Sequence, residues 1–240
     1  MELTTLDART LVIRSTLFGT TEWFGGATVV RASTSGALST ERVGVNLLTR
    51  SALDHLERTH RIERIGQIVD GHNSYILGRL PRDLKTEYGL DVEACVGAWI
   101  GVAFGCYGMF NPPFTQLEDV LTYFRQLGLR ESDSGVALGV GWTILDQRYS
   151  SMIDGVHVSI TAPAGRPRAS FATTPAGDSW VDASDPSWHR MVLQSDTVRV
   201  SLAVPPSGGL DPEPLRPGTD AYARSLKILR SIDEAVWQKP

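Results

Sequence analysis

The chain contains few cysteines, few lysines and no long hydrophobic segment. Two cysteines among 240 residues are too few for the disulfide framework of a small secreted domain. Only three of the 23 basic residues are lysine, and the formal net charge is −4, which argues against a nucleic-acid-binding surface. The N-terminal MELTTLDART lacks the basic and apolar regions of a secretion signal. We therefore expect an acidic, soluble, cytoplasmic protein that binds another protein or a small molecule.

Short catalytic and ligand-binding motifs are also missing from the sequence. It contains no GxSxG elbow, Walker loop, HExxH or CxxC. The GxG within LGVGW continues into Trp142 and Ile144, a pattern that favours a strand over a dinucleotide-binding loop. We therefore expect neither a cofactor nor a metal ion.

An uncharged, mostly apolar stretch covers residues 94–110. Its 17 residues are at the lower limit for a membrane-spanning helix, and no cluster of Lys or Arg flanks it, so we expect no membrane span. Apolar residues recur at helical spacing, and glycines form a second stripe at Gly97, Gly101 and Gly105. The pattern predicts a buried helix with a close neighbour along its glycines, and a buried strand is the alternative. Cys95 and Cys106 are interpreted as small buried residues, because one helix would hold them about 16 Å apart.

Alternating apolar residues predict strands in several segments. The alternation is longest from Val136 to Ile144 and recurs at 27–32, 43–47, 156–160 and 198–204. An apolar stripe from Leu117 to Leu127, ended by Gly128, predicts an amphipathic helix. The order of elements predicts an α+β fold, mainly an antiparallel sheet with amphipathic helices packed on one face.

The expected domain organisation has three parts. Residues 1–204 form a single α+β domain. Residues 205–218, PPSGGLDPEPLRPG, form a tether rich in proline and glycine. Residues 219–240 form a C-terminal helix that docks on the domain, with exchange between two chains of a homodimer as the alternative.

One candidate catalytic group lies in DGHNSY, residues 70–75. If a helix runs from Ile62 to Leu80, His72 lies in the middle of its apolar face, where burial could adjust the imidazole to act as a general base. Asp70 and Tyr75 are neighbouring polar groups that could assist it. One alternative is a histidine with a purely structural role. Another is that the helix breaks at Asp70-Gly71 and leaves His72 on a loop.

A candidate partner-binding segment lies in GDSWVDASDPSWHRM, residues 177–191, which is interpreted as irregular. Its candidate contact residues are Trp180, Asp182, Asp185, Trp188 and His189. The tryptophans either attach a loop to the core or form contacts with a partner, and the aspartates would orient a basic partner.

Two hypotheses for the function follow from these observations. The first is a non-catalytic interaction protein, such as a neutralising partner, an adaptor or an assembly factor. It is favoured by the missing catalytic motifs and by the acidic, tryptophan-bearing segment. The alternative is a metal-independent small-molecule enzyme, of the lyase, isomerase or cyclase type, that uses His72 as its base.

Overall fold

The computed structural model describes residues 1–18, 22–32, 38–81, 95–109, 114–162, 172–174, 177–181, 190–195, 197–205 and 215–238. The chain divides into two compact units, each built from more than one segment. Unit 1 comprises residues 1–5, 9–23 and 147–240, and unit 2 comprises residues 6–8 and 24–146.

Strands dominate the described part of the chain, which contains seventeen strands and three helices. The strands are Glu2–Thr4 (β1), Thr10–Ser15 (β2), Phe24–Ala32 (β3), Leu38–Thr49 (β4), Glu63–Asp70 (β5), Asn73–Arg79 (β6), Cys95–Ile100 (β7), Phe104–Met109 (β8), Arg130–Ser132 (β9), Gly135–Ala137 (β10), Trp142–Ile153 (β11), Val156–Thr161 (β12), Ala172–Thr174 (β13), Gly177–Val181 (β14), Met191–Gln194 (β15), Arg199–Ala203 (β16) and Ile232–Gln238 (β17). The helices are Arg50–Thr59 (α1), Leu117–Leu127 (α2) and Asp220–Arg230 (α3). The fold is therefore mostly β, and the predicted α+β class is wrong.

Unit 2 contains an antiparallel run of six strands in the order β3-β4-β8-β7-β6-β5. Strands β8, β7 and β6 of this run are six or seven residues long and each contains glycine. β7 is buried at every position. Because antiparallel neighbours point to the same face, the register divides the side chains into two layers. The pair Ile100↔Gly105 lies in one layer, and the pair Gly97↔Gly108 lies in the other.

The helices of unit 2 are not gathered on one face, which is a second error in the predicted fold. Leu53 of α1 packs with Ile76, Ala98 and Ile100 on the first face. Leu117, at the start of α2, lies against Gly66 on the opposite face, where a Cβ at Gly66 would come within 3.2 Å of it. Both faces of this sheet are therefore covered in part by helical side chains.

Two predicted helices are β-hairpins instead. Residues 62–80 form β5 and β6 around a two-residue turn, and residues 95–109 form β7 and β8. Apolar residues on both faces of a buried strand imitate helical spacing, so the periodicity alone was misleading. The alternative break at Asp70-Gly71 is confirmed, because residues 71–72 form the turn and Gly71 has a φ of +62°.

Side chains do lie close to these glycines, as predicted, although each glycine has a different neighbour. A Cβ at Gly97 would lie 2.1 Å from the ring of Phe114, and one at Gly105 would lie 2.7 Å from Leu53. Real Cβ atoms essentially never lie this close to another atom, so a side chain at either position would force the Phe114 ring or the Leu53 side chain to shift. Cys95 and Cys106 are buried free thiols, as expected of small core residues.

The strand predicted from Val136 to Ile144 is interrupted. Residues 138–141 form a loop between β10 and β11, and Gly141 has a φ of +91°. Helix α2 was correctly predicted and ends at Gly128, with a φ of +60°. Its N-cap is Gln116, whose backbone N–H donates to the Asp119 carboxylate. The hydrogen bonds that the Asp119 carboxylate accepts lower the pKa of Asp119, and the bond from the Gln116 side chain has the largest effect.

Unit 1 contains two antiparallel groups of strands. One has the order β17-β2-β1, and the other has the order β11-β12-β16-β15-β14-β13. Edge-to-face contact between Tyr149 and Trp237, with ring centroids 6.0 Å apart, links the core side chains of both groups. The predicted C-terminal helix ends at Arg230, and the chain continues as β17. Most of the predicted tether, residues 206–214, lies outside the described residues.

Candidate interaction surface

Two hairpin turns lie at the same end of the unit 2 sheet. Residues 71–72 join β5 to β6, and residues 101–103 join β7 to β8. The register pairs Asp70 with Asn73 and Ser74 with Ile100, which places the two turns beside each other. This end of the sheet therefore consists of turn residues rather than strand residues.

The β7–β8 turn is held by one carboxylate from β9. The Glu131 side chain accepts the backbone N–H groups of Val102 at 2.7 Å, Ala103 at 2.6 Å and Phe104 at 2.9 Å. Three consecutive amides that converge on one anion form a backbone nest. The turn is also closed by the Gly101 N–H, which donates to the Phe104 carbonyl at 2.9 Å. The geometry fixes the position of this turn relative to β9.

An ion pair connects the β5–β6 turn to α2. Arg125, in the last turn of α2, lies 2.8 Å from the Asp70 carboxylate, and both side chains are about half exposed. Such an exposed pair contributes little stability, but it fixes the turn in register with the helix. Tyr75 lies close to the same pair, and its pKa is raised by burial and then by the negative charge of Asp70.

The end of α2 carries a third loop, residues 138–141. The Gly139 N–H donates to the Leu127 carbonyl at 2.9 Å, and a Cβ at Gly139 would lie 3.1 Å from Gly128. The indole N–H of Trp142 donates to the Gln126 carbonyl at 3.0 Å. Two glycine backbones in contact allow the loop to lie directly against the helix terminus.

Exposed valines project from these fixed loops. Val102 is 69% exposed at the β7–β8 turn, and Val140 is 94% exposed in the 138–141 loop. We call residues 71–72, 101–103 and 138–141 the tip surface. Val69 lies beside the tip surface, two residues before the β5–β6 turn, and is 67% exposed. Its side chain is on the face of the sheet that carries Ile76. Val102 therefore lies on a turn that Glu131 of β9 holds, and Val140 lies on a loop that the end of α2 holds.

The structure brings two of the three candidate catalytic residues together and places the third differently. Asp70 and Tyr75 share Arg125 as a neighbour. His72 is exposed at the hairpin turn, rather than in the middle of a buried helical face. Its imidazole has no hydrogen-bond partner among the residues that the structure describes.

The candidate partner-binding segment is mostly outside the described residues. Residues 182–189 are not described, and they include Asp182, Asp185, Trp188 and His189. Trp180 lies in β14, where its backbone pairs with Val192, so the segment is not irregular at its start. The contact role predicted for these residues stays a prediction.

Besides the exposed Val102 and Val140, sequence reasoning missed Glu131 and Arg125, whose side chains hold the hairpin turns in place. Their partners are 27–29 and 55 residues away in the chain, and neither residue belongs to a short motif. The one local signal is glycine at position 101, since a Cβ there would lie 2.2 Å from the Glu131 carboxylate.

Within the described ranges, no three His, Cys, Asp or Glu side chains are close enough together to hold a metal ion. None of the helices described is both long and apolar enough to cross a membrane. Comparison of the chain with known proteins found no matching family model, no matching curated protein and no matching solved structure.

Proposed function

We propose that the chain is a non-catalytic interaction protein that binds a partner protein through the tip surface of unit 2. The observation that carries the proposal is the pair of exposed valines, Val102 and Val140, on loops that polar contacts hold in place. We assign it to the cytoplasm and to the class of adaptors, assembly factors or neutralising partners.

Pre-organisation supports this proposal. A loop that must become ordered on binding loses affinity, because each immobilised side chain costs about 0.5–1.5 kcal/mol. The Glu131 nest already orders the turn that presents Val102, and the contact between Gly128 and Gly139 orders the loop that presents Val140. The polar rim around these valines includes the ion pair of Asp70 with Arg125, an arrangement typical of protein interfaces.

The alternative, an enzyme that uses His72 as its base, has less support from the geometry. A general base needs to lie within hydrogen-bond reach of a bound substrate, and such sites are usually concave. His72 instead lies exposed on a turn. The segment 177–191 of unit 1 is proposed as a second contact region, with Trp180 and Trp188 as its anchors.

Site-specific photo-crosslinking tests the proposal. A photoreactive residue at position 102 should give one discrete protein adduct in cells of the native host. The same residue at position 152 is the matched control, because Met152 is 48% exposed in unit 1 and lies eleven residues after the 138–141 loop, at the opposite end of β11. We expect no discrete adduct at position 152.

Competition shows whether the adduct reports binding at the tip surface. In an extract, excess wild-type chain should suppress the adduct, and excess Val102→Ser/Val140→Ser chain should not. If no adduct forms at position 102, or if both chains suppress it equally, the tip surface is not the binding site.

A further inference from the structure

A pocket of about 500 Å³ lies in unit 1, beside the second half of α3. Pockets for small molecules measure about 300–1,000 Å³, so this one suits a small molecule rather than a macromolecule. It is formed where residues 16–17, which follow β2, lie against the helix. Its lining residues are Thr16, Leu17, Ala223, Leu226, Lys227, Arg230 and Ser231.

The lining is divided into an apolar part and a cationic part. Leu17, Ala223 and Leu226 provide the apolar part, and Lys227 and Arg230 provide two positive charges without any carboxylate in the lining. The arrangement is complementary to a molecule that has an apolar body and one anionic group.

Two of the polar side chains in the lining are available to a ligand. The Ser231 hydroxyl is already engaged, at 2.7 Å from both the Ser15 hydroxyl and the Ile228 carbonyl. By contrast, Thr16 and Arg230 have no side-chain hydrogen-bond partner among the described residues. A guanidinium group and a hydroxyl group can together bind both oxygens of a carboxylate.

The local charges favour an anion. The C-terminal end of a helix carries about −0.5 elementary charge, which by itself opposes anion binding. The Ser231 N–H donates to the Lys227 and Ile228 carbonyls, which is the ordinary last bond of the helix and leaves this partial charge in place. Lys227 lies 3.6 Å from Asp154, and both side chains are more than half exposed, so this pair is weak. The two positive charges of Arg230 and Lys227 and the one negative charge of Asp154 sum to one net positive charge. This charge is larger than the negative partial charge at the end of the helix.

We propose that this pocket binds a small organic acid, with its carboxylate on Arg230 and Thr16 and its apolar body on Leu17, Ala223 and Leu226. The site is in a different unit from the tip surface and does not depend on the proposed partner protein. It adds a small-molecule binding activity to the chain.

Binding of hexanoate to the purified full-length chain tests this proposal. In amide NMR titrations, hexanoate should shift the resonances of residues 16–17 and 226–231. Hexan-1-ol has the same apolar body without the charge, and it should bind at least about tenfold more weakly, since charge-assisted hydrogen bonds are about twice as strong as neutral ones.

Two variants locate the carboxylate. Arg230→Gln should weaken hexanoate binding by about fivefold or more and leave hexan-1-ol binding unchanged. Arg216→Gln removes the same charge from an exposed position outside the pocket and should leave both affinities unchanged. If Arg230→Gln does not fold, Thr16→Val provides the same comparison with a smaller expected loss. Equal binding of hexanoate and hexan-1-ol, equal affinities of the two arginine variants, or the absence of shifts at these residues would each overturn the proposal.

Discussion

Replacing Glu131 with alanine should loosen the β7–β8 turn and destabilise the protein by about 2–4 kcal/mol. The estimate follows from the three amides that the carboxylate accepts. The Val102 and Ala103 bonds are exposed, so water can replace the carboxylate, and their loss should cost about 0.5–1 kcal/mol each. The Phe104 bond is partly buried, and an unsatisfied amide there should cost about 1–2 kcal/mol.

Denaturant unfolding measures this cost, with Glu63→Ala as the matched control. Glu63 is an exposed glutamate of the same unit, and its replacement should change the free energy of unfolding by less than about 0.5 kcal/mol. Amide hydrogen exchange at residues 102–104 should become faster in Glu131→Ala and stay unchanged in Glu63→Ala. The nest should also accept an external anion, so acetate should raise the melting temperature of Glu131→Ala more than that of the wild type.

Equal unfolding midpoints for Glu131→Ala and Glu63→Ala, together with unchanged exchange at residues 102–104, would refute this reasoning. The turn would then be held by its own strands rather than by the nest. The pre-organisation that supports the proposed function would be lost with it.

Three further outcomes test the packing and the electrostatics. Gly97→Ala should destabilise the protein by about 1–3 kcal/mol, because the added Cβ meets the Phe114 ring. Gly44→Ala is the control and should be nearly neutral, because no atom lies within 4 Å of a Cβ at that position. Thermal melts compare the stabilities of the two variants. Burial, and then two nearby arginine charges, lowers the pKa of His157 below its usual 6.5. The unfolded chain therefore binds more protons just below that pH, so stability should fall as the pH drops through 6.5, and His157→Gln should flatten this slope in unfolding titrations. Burial also raises the pKa of the Cys106 thiol, which should resist a thiol reagent in the native protein and react on unfolding; rapid native labelling would contradict its burial.

The strands that carry one wet face could be predicted from the sequence. Val156, Val158 and Ile160 alternate with polar residues, and β12 forms there with those three side chains fully buried. Helix α2 was also predictable, because its apolar stripe ends at a glycine that adopts a left-handed conformation. Local patterns were sufficient where one face is polar.

The central strands of unit 2 could not be assigned in the same way. β7 is buried on both faces, so its residues carry no alternation. Gly97 in β7, Gly101 in the following turn and Gly105 in β8 resembled a helical stripe. The tip surface was less predictable still, because it depends on contacts between distant residues. Glu131 contacts the β7–β8 turn across 27–29 positions of the chain, and Arg125 contacts Asp70 across 55 positions.

The partner's affinity for the tip surface is the most direct test of the proposed function. Once the crosslinked partner is identified, its Kd should be measured for the wild type, for Val102→Ser/Val140→Ser and for Leu145→Ser/Met152→Ser. The control pair removes two apolar side chains from outside the tip surface, which are 45% and 48% exposed. Full burial of a valine side chain stabilises by at least about 1.5 kcal/mol, and we take about half of that as the binding free energy lost with each valine of an interface. The two losses together raise the Kd about tenfold. The account predicts this tenfold loss in the tip variant and less than about a twofold change in the control. Equal affinities for both variants would contradict it.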